Sequence, residues 1–224
     1  MITSNFIVHD CETGGLKPEE NPITQYACII LEGTTLKELD RYETFVKPYA
    51  DLKIEQAALD KTMVTMSDIK NGIPVKEFIS TTHELWKQYQ SKAKWEDARR
   101  MVSVGHNISF DHRMLEWAFQ YCKKGSIWQL LQDNFIDTMT LTKLTWGVNG
   151  NEKITLSDAI RYAKLKITDA HGAMNDVEAT ADLLRWFMKK LRSKKGEASV
   201  EKEVRERTKG KEFFEFRCAG KNPK

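Results

Sequence analysis

Asp10 and Glu12 stand at alternate positions where an apolar run, Phe6-Ile7-Val8-His9-Asp10-Cys11-Glu12-Thr13, gives way to Gly14-Gly15. Strands disfavour Asp and Glu. In a strand, residues i and i+2 point to the same face, with Cα atoms about 7 Å apart. Two carboxylates held that close repel unless a proton or a cation lies between them. The chemistry this pair suggests is the binding of a divalent metal.

Two further carboxylates occupy similar positions. Asp111 heads an apolar stripe formed by Met114, Leu115, Ala118, Phe119 and Cys122, the spacing of one buried helix face. Asp176 heads a second stripe, Ala179, Thr180, Leu183 and Phe187. Either Asp alone is explained equally well as an exposed first-turn residue that complements the helix dipole. Two of them together with a strand Asp-x-Glu favour a shared cation, because a buried lone carboxylate is very costly. Hard oxygen ligands without cysteine or paired histidine suit Mg²⁺ or Mn²⁺. Two such ions about 3.5–4 Å apart can serve phosphodiester hydrolysis by acting on both the attacking and the leaving oxygen. A base is also needed, and His171, five residues before Asp176, is the first candidate. An imidazole titrates near neutrality and can take a proton from water, and Gly172 frees the backbone beside it. His106 and His112, which flank Asn107-x-x-Phe110-Asp111, are second choices. His9 alternates away from Asp10, and His83 falls on the solvent side of a helix.

The elements that must position these groups follow from periodicity. After the first strand, Pro22–Leu31 and Tyr42–Pro48 read as two more, forming an antiparallel meander. Val75, Phe78, Ile79, Leu85, Trp86 and Tyr89 fit one amphipathic helix, followed by a polar linker from Lys92 to Arg99. Met101–Gly105 reads as a short buried strand, Phe110–Lys123 as a helix and Asn134–Thr138 as a last strand. Helices are expected over Leu156–Ala163 and Ala173–Arg192, and the turn-rich stretch 147–151 can close a small hairpin. Three strands followed by alternating helices and strands predict an α/β fold with a mixed five-stranded sheet.

The 224 residues, 41% hydrophobic and 30% charged, are those of an ordinary globular protein. No apolar stretch approaches a membrane span, and Met1–Asn5 does not resemble a secretory leader. The four cysteines are widely spaced without a Cys-x-x-Cys pair, which argues against structural zinc or a disulfide framework and for thiols in a reducing cytoplasm. Residues 189–224 hold 13 Lys and Arg against 6 Glu, whereas the rest is mildly acidic. Such a basic tail is either a nucleic-acid contact or a solvated extension. Its aromatic stretch Glu212–Phe216 packs onto the domain as an added edge strand, or docks on a partner.

Three blocks occur in order: Asp10-Cys11-Glu12-Thr13-Gly14-Gly15-Leu16, Asn107-Ile108-Ser109-Phe110-Asp111 and His171-Gly172-Ala173-Met174-Asn175-Asp176. Together they resemble the motifs of the DnaQ-like 3′–5′ exonucleases, in the histidine subgroup of the DEDD group; the tyrosine subgroup would need Tyr where Gly172 stands. The resemblance covers about residues 5–192, an exonuclease domain over 1–192, and leaves 193–224 as an extension. It implies an RNase H-like fold, metal binding by Asp10, Glu12 and Asp176, with Asp111 acting directly or through water, and His171 as general base. It also implies a terminal nucleotide laid against Thr13 and Gly14, with Leu16 beside the base and Asn107 and Phe110 shaping the pocket. Met63 or Val64 is the guess for a residue that wedges between terminal bases. The substrate expected is a single-stranded 3′ end, DNA before RNA, shortened to nucleoside 5′-monophosphates in a repair or proofreading role, with a polymerase or other protein as possible partner of 193–224. The alternatives are an exoribonuclease of ribonuclease T or oligoribonuclease type, and a non-catalytic nucleic-acid-binding module.

Overall fold

The computed structural model describes residues 4–92, 99–147, 153–166 and 172–192. The chain divides into two compact units, residues 1–185 and 186–224. The first holds one five-stranded sheet built from β1 (Phe6–Thr13), β2 (Ile23–Leu31), β3 (Glu38–Phe45), β4 (Val102–Gly105) and β5 (Ile136–Asp137). Their order across the sheet is β3-β2-β1-β4-β5. β1–β2 and β2–β3 pair antiparallel, and β1–β4 and β4–β5 pair parallel. This mixed sheet is the one expected.

Every residue of β2 is buried, as a strand covered on both faces should be. One face packs on α3 (Val75–Gln88) and α4 (Ser109–Tyr121), in a core that includes Ile7, Cys11, Phe78, Trp86, Leu115 and Phe119. The rings of Trp86 and Phe119 stack at 5.7 Å, and truncating a buried ring of this kind costs about 3–5 kcal/mol. Across the opposite face runs the start of α7 (Ala173–Arg192). Three polar contacts fasten it there: Ala173 N–H to Gln25 Oε1 at 3.4 Å, Arg41 to Glu178 at 2.7 Å and Arg185 Nε to the Leu36 carbonyl at 3.3 Å.

The remaining helices are α1 (Gln56–Leu59), α2 (Met66–Asn71), α5 (Thr138–Trp146) and α6 (Leu156–Ala163). Capping boxes start α2 at Thr65/Asp68 and α6 at Thr155/Asp158, each side chain satisfying an otherwise unpaired backbone N–H. The spans expected for α6 and for the long last helix are those observed, whereas α5 was not expected. β3 begins four residues earlier than its apolar run suggests, because the edge strand carries charged residues at alternate, exposed positions. Gly147 closes α5 in a left-handed conformation, φ +67°; the rest of the expected 147–151 hairpin lies outside the described residues. So do His171 and the extension 193–224. No described helix is long and apolar enough to cross a membrane.

Candidate active site

The two strands beside β1 treat its two halves differently. β4 pairs with it only as far as Val8 and ends at Gly105, whereas β2 accompanies it to Thr13. The C-terminal half of β1 therefore lies at an open crevice, where open α/β sheets place their ligands. The β1–β2 register slips between Glu12 and Thr13, a bulge-like irregularity of the kind that re-aims side chains beside active sites.

Along β1, His9 and Cys11 are buried on one face, while Asp10 and Glu12 are half-buried on the other. Glu12 sits opposite Gln25 of β2. Gln25 donates to Glu43 at 2.8 Å and accepts from Ala173 N–H, so it links the strand to the first turn of α7. Asp176 lies in that turn. The carboxylates of Asp10, Glu12 and Asp176 each offer an oxygen within 4.8 Å of the others.

Asp111 arrives from α4, on the opposite side of the sheet, and does something else. It is buried, and its Oδ1 accepts the Cys11 N–H at 2.9 Å, a bond with the part of β1 that β4 no longer accompanies. Asp111 thus clasps the backbone between Asp10 and Glu12.

The electrostatics match the geometry. Burial, then the charges of Asp111, Glu12 and Asp176, hold the Asp10 carboxyl well above the usual carboxylate range. Glu12 is pushed up to about 7 by burial and by Asp176. Burial raises Asp111 to about 8, against the opposing Cys11 N–H bond. Like charges gathered this closely fit a hard divalent cation, which would reverse these shifts. Asp10, Glu12 and Asp176 are the residues able to hold one.

Three histidines serve structure. His9 Nε2 and His112 Nε2 both bond to Ser103 Oγ, at 2.7 and 2.8 Å. Burial depresses His9, with a further push from His112, and lowers His112 to about 4. His106 bonds to Thr138 Oγ1 at 3.1 Å and to the Ile154 carbonyl at 2.8 Å, so both its ring nitrogens are engaged.

A pocket of about 310 Å³ adjoins the carboxylates, with Glu12, Thr13, Leu16, Phe110 and Asp176 in its lining. Leu16 stands at its rim, 73% exposed. The Thr13 hydroxyl donates to the Gly15 carbonyl at 2.6 Å, and Gly14 N–H to Pro22 O at 2.8 Å. A Cβ on Gly14 would meet Pro22 Cδ at 2.9 Å and the Lys53 carbonyl at 3.0 Å, so only glycine permits this close packing. Asn107 adopts φ +65°, which Asn tolerates better than most residues. Its N–H is held by Asp137 Oδ1 at 3.0 Å, and no side chain caps α4. Of the two guessed wedge residues, Val64 is buried and cannot reach a base, whereas Met63 is exposed. Neither lines the pocket; Ala58, Lys61 and Thr62 do.

Sequence reasoning missed Asn21, Gln25, Ser103 and Asp137. Buried Asn21 donates to Lys53 O at 3.0 Å and accepts from Lys17 N–H at 3.1 Å, tying the loop after β1 to the segment before α1. Each of the four has a partner far away in sequence, Lys53, Glu43 and Ala173, His9 and Asn107 respectively, which no local pattern marks.

This crevice of converging carboxylates, set on a mixed sheet, belongs to a nuclease class that comparison with known proteins identifies. The chain belongs to the exonuclease family whose model, RNase_T, matches residues 7–184. Within the DnaQ-like 3′–5′ exonuclease superfamily, it is 31% identical over 185 residues to ribonuclease T of Marinobacter nauticus, covering 79% of each chain. It is 26% identical to the PolC-type DNA polymerase III of Oceanobacillus iheyensis, across 91% of this chain but only 12% of that polymerase. In fold it is similar to E. coli exonuclease I in complex with a dT13 oligonucleotide, with a TM-score of 0.66 and 22% identity over 84% of this chain and 41% of the other. A zinc-bound form of the exonuclease I complex with single-stranded DNA gives a TM-score of 0.69 at 20% identity, over 89% of this chain and 43% of the other. The protein is a 3′–5′ exonuclease, a hydrolase acting on nucleic acid.

Proposed function

We propose that the chain removes nucleotides from single-stranded DNA 3′ ends as nucleoside 5′-monophosphates, using two Mg²⁺ or Mn²⁺ ions held by Asp10, Glu12 and Asp176. The observation that carries this reading is the convergence of those three carboxylates beside a nucleotide-sized pocket. When bound, the ions supply polarisation of the phosphate and of the attacking water. Asp111 binds directly or through water and holds the strand between the first two ligands. His171 accepts the proton of the attacking water. The bonds of His9, His106 and His112 to Ser103, Thr138 and Ile154, and the contact of His83 with exposed Glu84 at 3.1 Å, support this choice. Thr13, Gly14, Leu16, Asn107 and Phe110 seat the terminal nucleotide. Residues 193–224 add affinity for the polyanion through their excess of Lys and Arg, or engage a polymerase or other protein. The three described free cysteines, Cys11, Cys28 and Cys122, accord with work in a reducing cytoplasm.

A second reading, an exoribonuclease, is favoured by the likeness to ribonuclease T, which spans most of both chains. The two differ in how the pocket treats a 2′-hydroxyl. Product lengths from DNA and RNA oligomers of one sequence, labelled at either end, with Mg²⁺ or EDTA, decide between them. Stepwise loss from the 3′ end of DNA in Mg²⁺ alone is the expected result. Markedly faster shortening of RNA would transfer the assignment to the second reading.

A further inference from the structure

Beside the catalytic pocket lies a second groove, of about 590 Å³, floored by the outer face of α4. Leu16 forms part of both cavities, and at the start of α4 Ser109 lines the groove while the next residue, Phe110, lines the pocket. The groove therefore adjoins the proposed seat of the terminal nucleotide. Its walls are aromatic. Trp128 and Phe135 each meet His112 edge-on, at 4.9 and 5.1 Å, and Phe135 keeps 41% of its surface exposed. Trp117 stacks flat on Tyr121, at 5.4 Å and 5°.

Arg113 is exposed at the groove, with no ion pair or hydrogen bond among the described residues. Two of the neighbouring charges are already spent. The Glu116 carboxylate accepts from Ser126 Oγ, Ile127 N–H and Gln120 Nε2, and Lys17 pairs with Glu20 at 2.9 Å. Glu19 lines the groove as well, with an opposing charge, so ring surface rather than net charge must carry any binding.

We propose that this groove holds the unpaired nucleotides on the 5′ side of the scissile bond, with bases stacked on Phe135 and Trp128 and a backbone phosphate at Arg113. Single strands present base faces to such rings, whereas a duplex hides them. Stacking does not read the sugar, so the groove accepts DNA and RNA alike. The proposal rests on the exonuclease reading and extends it from the terminal nucleotide to the strand behind it.

The test compares kcat/KM on a single-stranded oligomer of about ten nucleotides with kcat/KM on a nitrophenyl ester of thymidine 5′-monophosphate, which reaches only the catalytic pocket. Base stacking contributes about 1–3 kcal/mol per base. The oligomer-to-ester ratio should therefore fall about fivefold to a hundredfold in Phe135→Ala, chiefly through KM. Arg113→Ala should lower it by a smaller factor, and Phe135→Trp should restore it. Because Phe135 also packs on His112, circular dichroism of each variant checks that it stays folded, and the ratio of the two substrates separates lost stacking from lost fold. An unchanged ratio, in an enzyme that cuts both substrates, would overturn the groove and leave the exonuclease reading standing. Failure of the wild type on both substrates in Mg²⁺ would overturn the two together. A dimer that dissociates in Phe135→Ala while the ratio holds would reassign the groove to a second copy of this chain.

Discussion

The first turns of α4 and α7 look alike in sequence and act differently in the structure. Each begins with an Asp at the head of an apolar stripe, and each approaches β1, but from opposite faces of the sheet. Asp176 joins Asp10 and Glu12 in a cluster of oxygens within 4.8 Å. Asp111 instead buries its carboxyl beside the Cys11 backbone N–H, 2.9 Å away. A stripe-heading carboxylate therefore points to the crevice without giving its task. The task depends on whether another carboxylate or a backbone donor stands opposite.

Substituting the two residues sharpens this contrast, and the largest effect belongs to the cluster. Asp176→Ala removes one of three converging oxygens and should lower Mg²⁺-dependent nucleotide release about a thousandfold, the several kcal/mol of charge stabilisation that ions supply to phosphoryl chemistry. The folded state should survive it, which circular dichroism and single-turnover rates check together. A variant that keeps more than a tenth of the wild-type rate would take Asp176 out of the metal set. His171→Ala comes next, at about 10²- to 10⁴-fold in kcat, the range for loss of a general base, with a smaller change in DNA affinity. A rate barely altered would return attention to His106 and His112.

The Asp111 variants separate clasp from ligand. Asp111→Ala leaves the buried Cys11 N–H without its acceptor, a loss of about 1–3 kcal/mol in stability. Asp111→Asn keeps an acceptor oxygen and should recover most of that stability. Asp176→Ala relieves the repulsion that raises Asp10 and Glu12 and should destabilise the metal-free protein less. Urea unfolding of the three variants makes the comparison. Equal losses in Asp111→Ala and Asp176→Ala would erase the distinction drawn between the two turns.

The smallest effect is a pH dependence. The folded-state pKa values of Glu12, about 7, and Asp111, about 8, lie above the ordinary values of 4.5 and 3.8. Their neutral forms are thus favoured by folding, and that stability is present below the unfolded pKa and is lost as pH rises through the folded one. His9 and His112 have lowered values and act in the reverse sense, but only below about pH 6.5, where an unfolded histidine gains its proton. Between about pH 6.5 and 8, then, the melting temperature of the metal-free protein should fall, and Asp111→Asn should reduce the fall. Saturating Mg²⁺ should flatten it. A melting temperature that rises over this window without metal would contradict the shifts.

Much of this organisation can be read in the sequence, and the failures have physical causes. β1, α6 and α7 stand out because strong periodicity coincides with a cap or a breaker at the boundary, as with Thr155 before α6. The helix α5 does not. Its residues Thr138, Thr140, Thr142 and Thr145 have low helix propensity, and the helix depends on the Asp137 cap at Met139 N–H and the left-handed Gly147. α1 and α2, of four and six residues, are too short to show a period. β5 shrinks to Ile136–Asp137 because it pairs only with Val104 and Gly105, the last two residues of β4. Of the site, the carboxylates were legible because charge is out of place on an apolar face. Gln25 and Asn21 were not, because a buried amide is recognised only by the distant partner it satisfies.

Asp10, Glu12 and Asp176 are proposed to form a divalent-metal centre for phosphodiester hydrolysis. Titrating Mn²⁺ into the metal-free protein with thymidine 5′-monophosphate present, and counting bound ions by electron paramagnetic resonance, tests it most directly. Saturation near two ions per chain is expected in the wild type, with loss of tight binding in both Asp10→Ala and Asp176→Ala. Equal Mn²⁺ binding in the wild type and both variants would contradict it.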